Sequence, residues 1–488
     1  MDLNKKLKRP DLLLAKCLID GKWVGGVENV IKVINPSTGE LVSTVPHFGV
    51  AETKEAIIAA NKAWPEWRKK TAAERAKIMR GWFDLMMENQ EDLAAIMTAE
   101  QGKPLTESRG EIAYAASFIE WFGEEAKRVY GDVIPAPKNE QRIIVLREPV
   151  GVVAAITPWN FPAAMITRKI APALAAGCTA IVKPASQTPL SALALGKLAM
   201  EAGVPAGVLN IITGDAKEIG KELTESPEVR KVSFTGSTET GKILIRQSAS
   251  TVKKVSMELG GNAPFIIFDN ADLDAALKGF IASKYRNSGQ TCVCANRLLV
   301  QEGIPDKFME NLLAAVKKLK VGDGFAEGVE QGPLINMDAV EKVEMLIADA
   351  VKKGAKIETG GKRHVLGGTF FQPTILSDLT PEMLIAKEEI FGPVTTIFRF
   401  KTEAEAIKIA NDTPYGLAAY FYSNDINQIF RTAEALEYGM IGINEGLISN
   451  EVAPFGGIKE SGTGREGSYL GMEEYVEVKY LCLGNVKG

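Results

Sequence analysis

The stretch VVAAITPWNFPAAMITRKIAPALAAGCTAIVKPAS, residues 152–186, predicts the fold of this chain. It begins with the apolar run VVAAI (152–156), continues with a helix-like segment (165–177) and returns to an apolar run in TAIVKP (179–184). Strands that are apolar on both faces and alternate with helices are typical of a parallel sheet covered on both sides. The stretch therefore predicts the start of a doubly wound α/β domain.

The same alternation extends along most of the chain. Strands at 208–213 and 232–236 follow in the first unit, and a second unit begins at APFIIF (263–268) and continues to about residue 460. Residues 51–126 have apolar residues at helical spacing. At 488 residues the chain is too long for one hydrophobic core, so we expect more than one domain.

Composition and charge narrow the classes of partner. The formal net charge of -4 is small for this length, so neither nucleic acid nor an anionic membrane is expected as the main partner. The apolar run at residues 12–15 is too short for a secretory signal, and no run reaches the roughly 18 apolar residues that a membrane helix needs. These features predict a cytoplasmic protein.

The segment SGQTCVCAN (288–296) places two thiols, Cys292 and Cys294, one residue apart. A metal site is not expected, because the chain has two histidines, His47 and His364, and neither stands in a zinc-ligand pattern. Five cysteines, most of them far apart, do not indicate a disulfide scaffold. A nucleophilic thiol is the remaining hypothesis for this segment.

Two other segments could assist a nucleophilic thiol. Glu258 ends an apolar strand and precedes two glycines, where partial burial would raise its pKa toward that of a useful general base. Asn160 stands between two prolines in PWNFP (158–162), and its side-chain amide could donate to an oxyanion. The alternatives are a solvated charge at a strand end for Glu258 and an ordinary turn residue for Asn160.

The carboxyl ends of the first unit's strands carry a dinucleotide signal. Gly236 and Ser237 directly precede a helix whose amino end would favour a phosphate, although an ordinary helix cap explains them equally well. In VKPAS, Lys183 and Ser186 stand where such folds usually carry an acid for the ribose 2′-hydroxyl. A serine and a lysine there favour NADP, with NAD as the second choice, unless Lys183 merely ends a strand.

Taken together and in order, these segments resemble the aldehyde dehydrogenase superfamily. The motifs that carry the resemblance are PWNFP, KPAS, FTGST (234–238), MELGGNAP (257–264), GQTCVCAN (289–296), KEEIFGP (387–393) and PFGGIKESG (454–462). Within it, AAMITRK (163–169) and LISNEVAPFGG (447–457) are most similar to bacterial succinate-semialdehyde dehydrogenases of the NADP-dependent type. The resemblance spans nearly the whole chain.

The resemblance implies a fold of three parts. It predicts a Rossmann-like NAD(P)-binding domain at residues 1–126 and 150–259, and an α/β catalytic domain at residues 260–460. A small β oligomerisation arm is expected at residues 127–149 and 461–488, and with it a homo-oligomer, either a dimer or a tetramer.

The resemblance also implies a mechanism. Cys292 matches the nucleophile, Asn160 and the Cys292 N–H match the oxyanion donors, and Glu258 matches the residue that activates water against the thioester. The CoA-acylating relatives lack this glutamate, so a hydrolytic enzyme is expected. The residues that match cofactor contacts are Trp159, Lys183, Ser186, Gly236, Ser237, Glu389 and Phe391.

The expected substrate is succinate semialdehyde. Arg168 and Arg286 match positions that bind its carboxylate, and Ser449 matches a third contact, although both arginines would otherwise be assigned to surface ion pairs. Glutarate semialdehyde, which is one methylene longer, or a broader range of aldehydes is the alternative. A catalytically silent protein on the same fold is the alternative from another class. Cys294 is either a small residue packed behind the loop or a redox switch that pairs with Cys292.

Overall fold

The structure is a computed structural model that describes residues 3–26 and 28–486. The amino-terminal strands are β1 (Cys17–Ile19), β2 (Lys22–Val24), β3 (Val30–Ile34) and β4 (Leu41–Pro46). The helices that follow are α1 (Val50–Lys69), α2 (Ala72–Glu88), α3 (Gln90–Gln101) and α4 (Leu105–Glu125). The helical pattern predicted for 51–126 is thus confirmed, and α3 ends at Gly102, whose φ of 91° is left-handed.

The next part of the chain contains the predicted alternation of strands and helices. Its elements are β5 (Asp132–Ile134), β6 (Arg142–Pro149), β7 (Val152–Ile156), α5 (Ala164–Ala176), β8 (Thr179–Lys183), α6 (Leu190–Glu201), β9 (Leu209–Ile211), α7 (Ala216–Glu225), β10 (Val229–Thr235), α8 (Thr238–Ser248) and β11 (Lys254–Glu258). Strands β7 and β8 are buried along almost their whole length, as their apolar sequences predict.

The second alternating unit and the carboxyl-terminal segment complete the fold. The unit contains β12 (Ala263–Ile267), α9 (Leu273–Tyr285), β13 (Ala295–Gln301), α10 (Asp306–Lys318), α11 (Met337–Lys352), β14 (Lys356–Thr359), β15 (Thr374–Ser377), α12 (Leu384–Lys387), β16 (Val394–Phe400), α13 (Glu403–Asn411), β17 (Ala418–Tyr422), α14 (Ile426–Ala435) and β18 (Met440–Ile443). The terminal segment contains β19 (Gly462–Thr463), α15 (Leu470–Glu473) and β20 (Val476–Leu483).

The first sheet has the strand order β19–β11–β10–β7–β8–β9–β1–β2. Strands β7 to β11 run parallel, and Ile156 lies opposite Lys183 while Thr235 lies opposite Glu258. This register brings the strand ends that carry the predicted cofactor and catalytic residues to one edge of the sheet. The doubly wound fold class is confirmed.

The second sheet has the order β14–β15–β16–β13–β12–β17–β18, and all of its neighbours are parallel except β14 and β15. Its core includes Phe265, which packs edge-on against Phe280 with ring centroids 5.2 Å apart. The segment from Arg286 to Ala295 connects α9 to β13 and carries both thiols. The second sheet therefore delivers the predicted nucleophile toward the carboxyl edge of the first.

A separate small sheet has the order β20–β6–β5. Its exposed apolar side chains include Val133, Val478 and Tyr480. The arm expected from residue 461 onward differs from this structure at its start, because Gly462 and Thr463 pair with β11 of the first sheet. The Gly462 backbone passes so close to the Met257 carbonyl that a Cβ would collide with it. A two-residue strand has no sequence pattern that could predict this pairing.

Candidate active site

A cavity of about 340 Å³ lies between the two sheets. Its lining includes seven of the predicted catalytic and cofactor residues, namely Trp159, Asn160, Gly236, Ser237, Cys292, Glu389 and Phe391. Within the described part of the chain, six other predicted catalytic, cofactor and substrate residues do not line this cavity, namely Glu258, Lys183, Ser186, Arg168, Arg286 and Ser449. The cavity thus joins the nucleophile to part of the predicted cofactor site.

Cys292 lies just beyond a sharp reversal of the chain. Helix α9 ends at Tyr285, and Arg286 begins a short turn in which Asn287 and Ser288 have left-handed φ values of 50° and 55°. The reversal is enforced by buried contacts that a helical pattern does not reveal, such as the bond from Ser288 Oγ to the Gly332 carbonyl (3.0 Å).

The Asn160 loop is held by a buried ion pair that the sequence pattern did not reveal. The Asn160 carbonyl accepts from Lys103 Nζ (2.7 Å) and from Asn287 Nδ2 (3.0 Å). Lys103 also pairs with Glu111 at 2.6 Å, and Glu111 accepts from the Ala163 N–H at 2.9 Å. Lysine and glutamate are rarely fully buried unless they are paired, and here each orients the backbone beside the predicted oxyanion donor.

The side-chain amide of Asn160 is placed for a donor role. One N–H of Nδ2 donates to the Gln290 carbonyl at 3.0 Å, which leaves the other N–H of the same group for a ligand. Oδ1 is buried and has no hydrogen-bond partner within the described part of the chain. The backbone N–H of Cys292 lies beside the Cys292 thiol and lowers the pKa of that thiol. This N–H is therefore a second hydrogen-bond donor next to the reacting sulfur.

The thiol of Cys292 is strongly desolvated. Burial raises its pKa to about 12, the negative charges of Glu389 and Glu258 add to this shift, and Arg168 opposes it. Cys294 points elsewhere, because its buried Sγ is 3.5 Å from Nζ of Lys284. Among the two thiols, only Cys292 lines the described cavity.

Glu258 lies at the end of β11 and is 2 % exposed. Burial raises its pKa well above the usual carboxyl range, the charge of Glu466 raises it further, and Arg168 and Lys169 oppose the shift. No described residue hydrogen-bonds to its Oε2. Of the two alternatives for Glu258, the structure favours the desolvated carboxyl over the solvated charge.

Glu466 is a buried residue that sequence reasoning missed. It accepts from Arg168 Nε at 2.7 Å and pairs with Lys169 through its other oxygen. The motif PFGGIKESG ends four residues before Glu466 and therefore does not include it. A surface ion pair for Arg168 is excluded, because this residue is 1 % exposed.

The cofactor end of the cavity fits a dinucleotide. Ser237 is the N-cap of α8, and its Oγ accepts from the Thr240 N–H at 3.3 Å, so the positive end of the helix faces the cavity that Gly236 and Ser237 line. Glu389 accepts from the Gly261 N–H at 3.1 Å, and a Cβ on Gly260 would be 3.3 Å from its other oxygen. Phe391 packs edge-on against Trp159 at 5.5 Å, which gives the cavity an aromatic wall.

Lys183 and Ser186 stand at the end of the neighbouring strand β8. Lys183 is buried, and this burial lowers its pKa to about 8, partly offset by Asp215. Ser186 is half-buried on the turn after the strand. Both are on the edge of the sheet that holds Ser237, as the sequence predicts, although they lie beyond the cavity lining.

Comparison with known proteins gives the family. The model of the aldehyde dehydrogenase family matches residues 23–481. The chain belongs to the aldehyde dehydrogenase family. It is therefore an NAD(P)-dependent oxidoreductase that acts on a small aldehyde, and the prediction made from its motifs is confirmed.

Individual relatives are similar over their full length. The chain is 62 % identical to the glutarate-semialdehyde dehydrogenase of Pseudomonas aeruginosa, over 99 % of this chain and 100 % of the relative. It is 61 % identical to the NADP(+) succinate-semialdehyde dehydrogenase of Escherichia coli, over 98 % and 100 % of the two chains. A crystal structure described as an E. coli NADP-dependent enzyme superimposes with a TM-score of 0.97 at 61 % identity, covering 98 % of this chain and 100 % of that one.

None of the helices within residues 3–26 and 28–486 is long and apolar enough to cross a membrane. In the same residues, no group of histidine, cysteine and carboxylate side chains could hold a metal ion.

Proposed function

We propose that this protein oxidises succinate semialdehyde to succinate, with NADP preferred over NAD. Its desolvated thiol, its buried amide donor and its buried glutamate support the aldehyde oxidation. The positive side chains next to them support an aldehyde that ends in a carboxylate. Arg168 lies over the face of Phe455 at 3.9 Å, and Arg286 lies over the face of Phe161 at 4.7 Å.

In this proposal Cys292 forms the covalent intermediate. The thiol loses its proton to solvent water, the sulfur attacks the aldehyde carbon, an S–C bond forms, and the carbonyl oxygen becomes an oxyanion that accepts from Asn160 Nδ2 and from the Cys292 N–H. A bound nicotinamide cofactor supplies the two-electron acceptor for the carbon-bound hydrogen. Because the sulfur remains bonded to carbon, the oxidised group is a thioester on Cys292.

Glu258 then acts on the thioester. As a carboxylate it removes a proton from water, the water oxygen attacks the thioester carbon, and the C–S bond breaks to give the carboxylic acid and the thiol. The raised pKa of Glu258 makes it a stronger base than an exposed carboxylate once it is ionised. Arg168 and Lys169 stabilise that ionised form.

The residues at the two ends of the cavity serve recognition in this proposal. Glu389, Phe391 and Trp159 orient the nicotinamide and its ribose, Gly236 and Ser237 hold a phosphate, and Lys183 with Ser186 contacts the adenosine ribose or its 2′-phosphate. Arg168, Arg286 and Ser449 bind the substrate carboxylate. Strands β5, β6 and β20 of the small sheet associate with another copy of the chain to form a dimer or a tetramer.

A panel of aldehydes tests the substrate. We expect kcat/KM with succinate semialdehyde to exceed that with butyraldehyde, which has the same number of carbons and no carboxylate, by about 100-fold or more, since a charge-assisted hydrogen bond contributes roughly 1.5–3 kcal/mol. Equal values of kcat/KM for the two aldehydes would contradict the proposal.

Glutarate semialdehyde is the second candidate, favoured by the Pseudomonas aeruginosa relative. One methylene changes recognition by about 1–3 kcal/mol, so the same assay with glutarate semialdehyde ranks the two substrates. Parallel assays with NADP and NAD test the cofactor preference.

A further inference from the structure

The side chain of Tyr114 has a buried hydroxyl group without an assigned use. Tyr114 lies on α4, and its ring packs edge-on against Phe118 at 5.0 Å. The hydroxyl is buried, and no residue of the described chain hydrogen-bonds to it. Because a buried polar group without a partner is costly, this hydroxyl calls for an acceptor that the fold itself does not provide.

The charges around this hydroxyl identify the kind of acceptor. Burial raises the pKa of Tyr114, while the guanidinium groups of Arg168 and Arg286 lower it and the carboxylates of Glu466 and Glu451 raise it. The phenol is therefore protonated at neutral pH and stands near two guanidinium groups. Phenol and guanidinium groups all carry N–H or O–H donors, and guanidinium is positively charged, so a carboxylate matches them in both hydrogen bonding and charge.

The local charge balance also favours an anion. Arg168 and Lys169 both pair with one carboxylate, that of Glu466. Glu258 is the second carboxyl near both cations, and burial raises its pKa, so the cluster carries a surplus positive charge whenever Glu258 is neutral. Glu107, which lies near Arg286, has a pKa that burial raises, and this reduces its ability to neutralise the arginine.

Two contacts of α4 fix the position of Tyr114 relative to the reaction centre. Three residues earlier on the helix, Glu111 accepts from the Ala163 N–H and pairs with Lys103, which holds the Asn160 carbonyl. Helix α4 thus connects the turn that carries Tyr114 to the buried hydrogen bonds that hold the Asn160 backbone. The backbone positions of Tyr114 and Asn160 are therefore fixed relative to each other by buried contacts.

The second contact connects Tyr114 to the loop that carries Ser449. Ser117 Oγ donates to the Tyr114 carbonyl at 2.8 Å and also lies 3.1 Å from Glu451 Oε2. The loop after β18 is therefore attached to the same turn of α4. Tyr114 is thus on the turn of α4 that holds this loop, and the two arginines that the proposed function assigns to the substrate carboxylate are near enough to lower the pKa of its phenol.

We propose that the Tyr114 hydroxyl is a specificity-determining donor that binds the carboxylate at the far end of the aldehyde, together with Arg168 and Arg286. This inference rests on the proposed function, because it assumes a substrate with an anionic tail. The phenol orients one carboxylate oxygen, whereas the arginines supply charge. Tyr114 does not contact the reacting carbon and takes no part in the chemistry.

Tyr114→Phe tests the inference, because it removes the hydroxyl and keeps the ring that packs on Phe118. We expect kcat/KM with succinate semialdehyde to fall about tenfold or more, mainly through KM, since a hydrogen bond to a charged group is lost. With butyraldehyde, kcat/KM should stay within about twofold, and the melting temperature should not fall, because an unpaired buried hydroxyl has been removed. The matched control is Tyr469→Phe, because Tyr469 is 64 % exposed. This variant should leave kcat/KM unchanged for both aldehydes.

The outcomes separate the inference from the function on which it rests. If the wild-type protein does not distinguish the two aldehydes, both the proposed function and the role of Tyr114 are overturned. If the wild-type protein distinguishes them and Tyr114→Phe does so equally well, only the role of Tyr114 is overturned. An equal loss with both aldehydes would identify Tyr114 as a structural residue and would also overturn it.

Discussion

The reaction centre and the strand end that carries Lys183 differ in how their polar groups are held. At the reaction centre, the Asn160 backbone is bound by Lys103 and Asn287, and both contacts are buried. At the strand end, Ser186 is half-buried on a turn, and Lys183 stands at the last position of β8. The Asn160 backbone thus depends on several buried partners, whereas the half-buried side chain of Ser186 can change without disturbing a core.

Replacement of the nucleophile gives the largest expected effect at the reaction centre. Cys292→Ala removes the atom that forms the covalent intermediate, so we expect kcat to fall by about 10⁴-fold or more. The matched control is Cys294→Ala, two residues away, which should keep kcat within about threefold because its thiol faces Lys284. Steady-state assays of NADPH formation measure both, and an equal loss in the two variants would contradict the assignment of Cys292.

Removal of the buried lysine behind Asn160 is expected to have the next largest effect. Lys103→Met leaves Glu111 buried without its cation, so we expect a loss of about 3–5 kcal/mol in the free energy of unfolding. The control is Lys69→Met, whose pair with Glu66 is exposed and should contribute less than about 1 kcal/mol. Thermal unfolding compares the two variants. A melting temperature of Lys103→Met equal to that of Lys69→Met would show that the buried pair does not stabilise the loop.

A substitution at the strand end should change cofactor preference and little else. Ser186→Glu places a carboxylate beside the adenosine ribose, where it repels a 2′-phosphate and accepts from a 2′-hydroxyl. We expect kcat/KM with NADP to fall about 100-fold, while kcat/KM with NAD is unchanged or higher, from a loss of roughly 1.5–3 kcal/mol at a charged group. Ser186→Gln adds similar bulk without charge and should retain the preference for NADP. Equal changes with both cofactors would place Ser186 away from the ribose.

The smallest expected effect is the pH dependence of the same preference. Burial lowers the pKa of Lys183 to about 8, so its positive charge is present at pH 7 and is lost as the pH rises through 8. We expect the ratio of kcat/KM for NADP to that for NAD to fall by up to about 30-fold between pH 7 and pH 9.5, because the protonated fraction of a group with a pKa of about 8 falls by roughly that factor over this range. Taking this ratio cancels the effects of titrating groups that act equally on both cofactors. In Lys183→Met the ratio should be independent of pH.

The sequence predicted those parts of the molecule that have a local pattern. Uniformly apolar strands such as β7 and β8 indicated the parallel sheet, and their carboxyl ends indicated the edge on which the site lies. Short motifs also identified Cys292, Glu258 and Asn160, and the structure places Cys292 and Asn160 in one cavity with Glu258 at the end of β11. Their roles remain predictions that the experiments above test.

The parts that the sequence could not predict depend on contacts between distant segments. Glu466 is almost 300 residues from Arg168, and its burial beside two cations has no local pattern. Lys103 and Glu111 look like surface charges in a helical segment until α4 packs against α5. The pairing of Gly462 with β11 depends on the return path of the chain, which a two-residue strand does not encode.

The most direct test of the account is a rapid-mixing measurement with Glu258→Gln. The raised pKa of Glu258 keeps its neutral form populated, and glutamine resembles that form, so the thioester should still form. We therefore predict a burst of NADPH equal to the concentration of active Cys292, followed by a steady rate about 10²–10⁴-fold below that of the wild type, because the general base for hydrolysis is absent. A steady rate equal to that of the wild type, or a loss of the burst itself, would contradict the assignment of Glu258 to hydrolysis of a thioester on Cys292.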